Sequence, residues 1–195
     1  MAITPASIGE AAETLRAGGA AVFPTDTVYG LGVAVDYAEG PDAVFALKRR
    51  PAGKPVSWLV GGADALDRYA RDVPAYAYDL AREFWPGGLT LVVRASQEVP
   101  RAFCAADGTI GLRMPANDTA LSLIRAVGCP LATSSANLSG EPAVDTFEQL
   151  NPALPAAVPA VRDDSPKEGI ASTVVDCTGI EPHVLRQGGV VLNPS

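Results

Sequence analysis

Short apolar runs alternate with amphipathic segments along the chain, and this alternation constrains the fold more than any other feature. The runs at 20–23, 31–35 and 89–93 end at proline or at charged residues, as short buried strands do. Helical patterns at 41–47, 63–70, 74–84 and 119–127 separate the strand-like runs. Strands interleaved with helices predict an α/β fold in which a central sheet is covered on both faces.

Local signals fix several boundaries of these predicted elements. Ser7 and Glu10 have the spacing of a capping box, and Gly18 and Gly19 follow the helix that the box would start. Further strands are predicted at 56–60, 110–113, 173–176 and 184–186, and the apolar stretch before 133 leads into a loop. The segment 133–140 is predicted to be a polar loop, and the Pro- and Ala-rich segment 151–160 a surface connection.

Length and composition indicate one domain covering residues 1–195. No apolar run approaches the roughly 18 residues that a membrane-spanning helix needs, so no membrane partner is expected. The three cysteines are widely spaced and odd in number, which favours a reducing cytoplasmic location. A net charge of −7 argues against a general nucleic-acid binder, whose binding face is usually basic.

The residues that the chain lacks exclude several kinds of catalysis. Its one histidine, His183, has no nucleophile-elbow sequence to pair with. Zinc-ligand spacings, the Walker loop and the Rossmann glycine loop are also absent from the sequence. Covalent catalysis, a structural zinc site and the commonest nucleotide-binding loops are therefore not expected.

What remains is a set of groups suited to holding anions. Cations fall at or beside the ends of predicted elements, and hydroxyl or amide side chains are placed where they can be aimed at phosphate oxygens. The candidate cations are Lys48, Arg50, Lys54, Arg113 and Arg186. The candidate hydroxyl and amide residues are Thr25, Thr27, Ser135, Asn137, Ser172 and Thr173. Such groups act by positioning and charge stabilisation. Plainer interpretations stay open: helix-end charges for Lys48 and Arg50, a capped turn for Ser135 and Asn137, and a core aromatic for Tyr29.

Seven motifs occur in an order that resembles one known family. They are P-T-D-T-V-Y-G-L (24–31), K-R-R-P with K-P (48–55), W-P-G-G-L-T-L (85–91), G-L-R-M-P (111–115), S-S-A-N-L-S-G (134–140), S-T-V-V-D (172–176) and L-R-Q-G (185–188). Together they are similar to the YrdC/Sua5 family, the threonylcarbamoyl-AMP synthases of tRNA modification. Three positions depart from the usual pattern of that family, namely Gly88, Asn117 and Thr133.

The resemblance implies a fold and a reaction. The expected fold is a twisted mixed β-sheet flanked by helices, with a large concave cavity, of the YrdC/RibB-like type. The expected nucleotidyltransferase reaction converts L-threonine, bicarbonate and ATP into threonylcarbamoyl-AMP and pyrophosphate, with Mg²⁺ as cofactor. The product would supply the modification of adenosine 37 in tRNA, through a downstream tRNA threonylcarbamoyl-transferase complex.

The resemblance also implies roles for individual residues. The ATP-binding group would be Lys48, Arg50, Ser135, Asn137, Ser172 and Arg186. The threonine- and carbamate-binding group would be Thr27, Tyr29, Lys54, Arg113 and Thr173. Catalytic roles in neutralising charge would fall to Lys48, Arg50 and Lys54, and the metal ligands stay unassigned.

Two other functions remain open for a chain of this kind. One is an RNA-binding or ribosome-maturation factor with the same fold, which would bind tRNA or double-stranded RNA weakly. The other is a carbamoyl-adenylate enzyme of the hydrogenase-maturation kind. The acidic net charge argues against the first, and the chain has no room for the additional segments of the second.

Overall fold

The computed structural model describes residues 4–49, 51, 53 and 56–192. The strands are β1 (Ala20–Phe23), β2 (Gly30–Ala34), β3 (Ser57–Leu59), β4 (Ala70–Arg71), β5 (Leu89–Ala95), β6 (Thr109–Arg113), β7 (Leu131–Ser135), β8 (Thr173–Asp176) and β9 (His183–Arg186). The helices are α1 (Ile8–Arg16), α2 (Asp42–Lys48), α3 (Ala65–Tyr69), α4 (Ala75–Phe84), α5 (Asp118–Val127) and α6 (Ala153–Ala157). Single 3₁₀ turns form at Arg101–Phe103 and Phe147–Gln149.

Within the described residues, all the strands belong to one mixed sheet. Its order is β1-β2-β7-β3-β6-β5-β8-β9, and β4 pairs with β5 outside this path. The pairs β3–β6 and β5–β8 are parallel, while the other pairs are antiparallel. The predicted α/β fold with a mixed sheet flanked by helices is confirmed.

Two helices show why these segments become helical. In α1, the Ser7 hydroxyl accepts a hydrogen bond from the Glu10 backbone, and the Glu10 carboxylate accepts one from the Ser7 backbone at 2.7 Å. This is the predicted capping box, and it satisfies two donors that a helix start leaves unpaired. In α5, the side-chain oxygen of Asn117 accepts from the Ala120 backbone at 2.8 Å. Both helices bury an apolar face, and they pack against each other.

The sheet has two unlike faces. One face carries large buried side chains, among them Leu31, Trp58 and Leu112. The ring of Trp58 packs edge-on against Tyr69 of α3 and against Phe103, with centroids 5.2 and 5.8 Å apart. Since successive side chains of a strand point to opposite faces, the intervening residues lie on the other face, and those at its centre, such as Gly32, Ser57 and Gly111, are small.

Two stretches differ from the expectation from sequence. The segment 133–140 is not a loop throughout, because β7 continues to Ser135, where Ser134 pairs with Leu31 and Ser135 with Gly30 of β2. Backbone partners on a neighbouring strand override the turn tendency of serine. The segment 151–160 is more than a surface connection: it contains α6, and the Val22 backbone N–H donates to Pro159 O at 2.8 Å. It thereby covers the β1 edge of the sheet.

No helix among residues 4–49 and 56–192 is both long and apolar enough to cross a bilayer.

Arg49, which ends α2, has a left-handed backbone with φ of 51°. A side chain with a Cβ atom is strained in this conformation, whereas glycine is not. We expect Arg49→Gly to raise the free energy of unfolding by about 0.5 to 1 kcal/mol, measured by urea denaturation. Arg49→Ala is the matched control, since it removes the same charge and keeps the strain. Equal stability of the two variants would contradict the prediction.

Candidate functional site

A cavity of about 380 Å³ lies on the face of the sheet that carries small and polar side chains. Thr133 of β7 and Ser57 of β3 line its floor, and they belong to a row paired across four strands, from Gly32 of β2 to Gly111 of β6. A Cβ atom on Gly32 would lie 2.8 Å from the Thr133 hydroxyl, so the row has no room for a larger residue there. The small floor residues leave the space that the cavity occupies.

The first wall brings together Lys48 of the K-R-R-P motif and the S-S-A-N-L-S-G motif at 134–140, which lie far apart in sequence. Lys48, at the end of α2, is 3% exposed. Its ammonium donates to the backbone oxygen of Ser135, to the backbone oxygen of Asn137 at 2.5 Å and to the Asn137 side-chain oxygen at 3.3 Å. In return, the Ser139 backbone N–H donates to Lys48 O at 2.8 Å. These bonds join the end of α2 to the end of β7 as one wall.

The amide of Asn137 fixes the turn that follows β7. Its nitrogen donates to Leu138 O at 3.0 Å and to Glu141 O at 2.6 Å. With its oxygen on Lys48, the side chain links the turn to the helix end. Ser134, Ser135, Asn137 and Ser139 all line the cavity. The wall therefore presents hydroxyl and amide groups around a buried positive charge.

The second wall is built around Arg113 at the end of β6, which is 5% exposed. Its guanidinium donates to Gly87 O at 2.9 Å, to the Thr27 hydroxyl at 2.8 Å and to Asp26 Oδ1 at 2.5 Å. Burial lowers the pKa of Arg113, and the charge of Asp26 opposes that effect. The ion pair with Asp26, whose side chain is 12% exposed, supplies the charge compensation that a buried cation needs.

The loop after β1 places Thr27 opposite Arg113. The Thr25 hydroxyl donates to Val28 O at 2.6 Å and accepts from the backbone N–H groups of Thr27 and Val28, both at 3.2 Å. Side-chain bonds of this kind stabilise a tight turn. The loop also carries Tyr29, whose side chain is buried and borders the cavity. Its hydroxyl donates to Asp163 O at 3.2 Å.

Burial raises the pKa of Tyr29 to about 12. A phenol with such a pKa stays protonated across the physiological range, since its charged form appears only above that value. Tyr29 is therefore suited to hydrogen bonding and packing, and not to accepting a proton near neutral pH.

Ser172 and Arg186 close the cavity at the β8 side. The Arg186 guanidinium donates to Ser172 O at 3.1 and 2.9 Å and to the Ser172 hydroxyl at 3.1 Å. The Ser172 hydroxyl lies 2.8 Å from that of Thr90 on β5. Burial lowers the pKa of Arg186. This side of the cavity thus contributes one cation and two linked hydroxyls.

The structure gathers most of the sequence-predicted site residues around this single cavity. Those that line it are Thr25, Thr27, Tyr29, Lys48, Arg113, Ser135, Asn137, Ser172 and Arg186. Thr173 is fully buried behind it, where its hydroxyl donates to Val190 O at 2.6 Å and accepts from the Gly188 backbone at 2.9 Å. Arg50 and Lys54 lie outside the described residues.

Several lining residues were missed from the sequence. Ser57, Thr90 and Thr133 lie inside strands and were assigned no role, yet their side chains border the cavity. A signal was present in the strands, because small or hydroxyl residues alternate there with large apolar ones, as in Leu89-Thr90-Leu91. Such alternation indicates a sheet with one packed face and one face of different character.

The described lining of the cavity contains cations and hydroxyls and no aspartate or glutamate. No group of three metal-ligating side chains occurs within residues 4–49 and 56–192. Divalent magnesium is usually bound through one or two carboxylates, so this donor set does not fit a magnesium ion held by the protein itself. We therefore assign no step to a protein-bound metal.

This is an α/β protein whose sheet-floored cavity has the cationic and hydroxyl walls that suit an anion. The chain belongs to the Sua5–YciO–YrdC family, whose model, described as "Telomere recombination", matches residues 13–188.

Named relatives agree with this membership. A Pyrococcus abyssi protein named threonylcarbamoyl-AMP synthase is 37% identical over 183 residues, which cover 93% of this chain and 54% of that protein. A Mycobacterium tuberculosis relative is 40% identical over 184 residues, which cover 94% of this chain and 84% of the relative. The structure of P. abyssi Sua5 complexed with L-threonine matches with a TM-score of 0.84 at 37% identity, covering 93% of this chain and 54% of that chain. This chain thus spans about half the length of the P. abyssi protein.

The Asp26–Arg113 pair should be strongly coupled in stability. We expect Asp26→Ala to lower the free energy of unfolding by about 3 kcal/mol, because it leaves a buried guanidinium without its counter-charge. In the double variant Asp26→Ala with Arg113→Met, the loss should be clearly smaller than the sum of the two single losses. Denaturant unfolding of the four proteins measures this difference, and simple additivity would contradict the coupling.

Proposed function

We propose that this protein catalyses the formation of threonylcarbamoyl-AMP and pyrophosphate from L-threonine, bicarbonate and ATP, a nucleotidyltransferase reaction. The observation that carries the proposal is the donor set of the cavity, in which Lys48, Arg113 and Arg186 stand among hydroxyls and no described lining residue carries a carboxylate. Such a set suits substrates that are all anionic or carry an anionic group. The named P. abyssi relative and its L-threonine complex support this choice among anions.

The substrates are proposed to occupy the two walls separately. Threonine and its carbamate would lie against Thr27, Tyr29 and Arg113, with Thr173 supporting from behind, and Lys54 is proposed as a further contact. The carboxylate of threonine suits the planar fork of an arginine. ATP would lie against the opposite wall, with Ser135 and Asn137 near its phosphates and Ser172 and Arg186 at the far side.

The chemistry needs alignment more than it needs a protein nucleophile. The amine of threonine combines with bicarbonate to give a carbamate and water. A carbamate oxygen then attacks the α-phosphorus of ATP, the bond to the bridging oxygen breaks, and pyrophosphate leaves. Both steps bring negative groups together, so fixed positive charges lower the barrier.

We assign the neutralisation of these charges to Lys48, Arg50 and Lys54. The protons of Lys48 are donated to the protein, so we infer that it acts through its charge and by fixing the wall that carries Ser135 and Asn137. Magnesium is expected as a cofactor. Because the described lining residues of the cavity offer it no carboxylate, it would arrive bound to ATP.

The product is proposed to pass to a tRNA threonylcarbamoyl-transferase complex in the cytoplasm. A mixed anhydride of a carbamate and a phosphate hydrolyses readily, so its use requires a receiving enzyme close by. The three free cysteines of the described chain are compatible with a reducing compartment.

The first test is product formation by the purified protein. With ATP, Mg²⁺ and bicarbonate, we expect pyrophosphate release that depends on L-threonine, together with threonylcarbamoyl-AMP detected by mass spectrometry. Reactions without bicarbonate or without threonine are the controls. Release that is independent of threonine would overturn the proposal. Salt-sensitive binding of double-stranded RNA that ATP does not displace would favour the RNA-binding alternative instead.

The second test concerns Arg186 as an ATP contact. We expect Arg186→Met to raise the KM for ATP about tenfold with a smaller change in the KM for threonine, because a charged hydrogen bond to phosphate is lost. Arg94→Met is the matched control, since Arg94 is exposed on β5 and does not line the cavity. An equal effect of the two substitutions would refute the assigned role.

A further inference from the structure

Lys167 is a buried lysine that belongs to none of the motifs described above. Its side chain is 2% exposed, and its ammonium donates to Asp163 Oδ1 at 2.7 Å and to Ser165 O at 2.9 Å. The same ammonium lies 4.9 Å from the centroid of the Tyr29 ring. A lysine without exposure is rare unless it is paired, and removing an ammonium from water is costly. Its burial here therefore needs a structural reason.

Asp163 is the centre of a fully connected polar cluster. Besides the ammonium, its carboxylate accepts hydrogen bonds from the Asn117 amide at 2.9 Å and from the Ser165 hydroxyl at 2.8 Å. The Asn117 nitrogen also donates to the Ser165 hydroxyl at 3.0 Å. Burial raises the pKa of Asp163, but these donors outweigh that effect and leave the pKa lower than usual. Because Asn117 caps α5, the cluster is anchored to a helix of the core.

The residues from 163 to 169, which we call the 163–169 segment, run along the outer side of the loop that carries Thr27 and Tyr29. The Glu168 backbone N–H donates to Asp26 O and that of Gly169 to Thr27 O, both at 2.9 Å. The Tyr29 hydroxyl donates to Asp163 O and accepts from Asp163 N at 3.3 Å. The segment therefore holds this loop at three points from outside the cavity.

We propose that Lys167 is a positioning residue for the amino-acid substrate. It locks the 163–169 segment through Asp163, and the segment in turn fixes Thr27 and Tyr29 on the wall that faces Arg113. Lys167 does not line the cavity, so it acts through these neighbours. The inference rests on the proposed function, because it assigns this wall to threonine.

The position of the cluster predicts a selective effect. The 163–169 segment contacts the Arg113 wall, whereas the wall of Ser135 and Asn137 is held separately by Lys48. Loss of Lys167 should therefore disturb threonine binding and leave ATP binding nearly intact. A purely structural role would instead lower thermal stability without changing one substrate more than the other.

The test compares Lys167→Met with the wild-type protein in steady-state kinetics and in calorimetric titration with L-threonine. We expect the KM and the dissociation constant for threonine to rise about tenfold, while the KM for ATP changes less than about twofold. Arg68→Met is the matched control, because Arg68 is 58% exposed in its ion pair with Glu98 and does not line the cavity. This control should keep both KM values.

Lys167→Met leaves the Asp163 carboxylate without its counter-charge, which can prevent folding. A double variant covers that case. Lys167→Met with Asp163→Asn removes both charges and should show the same selective loss of threonine affinity. An active enzyme with an unchanged KM for threonine, or with both KM values raised equally, would overturn the positioning role. A wild-type protein without threonine-dependent pyrophosphate release would instead overturn the proposed function, which separates the two failures.

Discussion

A lysine ammonium that is removed from water must find an acceptor for its protons, and this requirement shapes both walls of the cavity. The chain has three lysines, Lys48, Lys54 and Lys167. The structure describes Lys48 and Lys167, and the side chains of both are buried. Exposed ion pairs, such as that of Arg68 with Glu98, use arginine instead. Lys48 draws together the end of α2 and the turn after β7, and Lys167 draws the 163–169 segment onto the polar cluster. Each wall is thus held by a charge that would be costly to leave unpaired.

The sheet supplies a floor because small residues, namely Gly32, Ser57 and Gly111, lie in a row at the centre of one face. Large residues such as Trp58 and Leu112 fill the opposite face. There the Trp58 ring packs against Tyr69 of α3 and against Phe103. On the cavity face, Gly111 leaves room beside Thr90, whose methyl group would lie 3.1 Å from a Cβ atom there. The same period of two therefore builds the core on one face and the cavity on the other.

The sequence predicted the features that local chemistry determines. The capping box of α1 and the strand ends at Pro24 and at Arg113 follow from neighbouring residues, so the order of the elements could be anticipated. Features that depend on distant partners could not be anticipated in the same way. Ser135 is in a strand because β2 lies beside it, and the Lys167 side chain is buried because its ammonium donates to Asp163, which Asn117 also holds. The roles of the individual site residues stay predictions, and for Arg50 and Lys54 their positions do as well.

Arg113 illustrates how one buried cation can serve both stability and binding. A guanidinium has five N–H donors, and hydrogen bonds to described residues account for three of them, one at Nε and one at each terminal nitrogen. Because Asp26 and Thr27 take different terminal nitrogens, each of these nitrogens keeps one further proton. Under the proposed function, these two protons are the donors that Arg113 offers to the carboxylate of threonine.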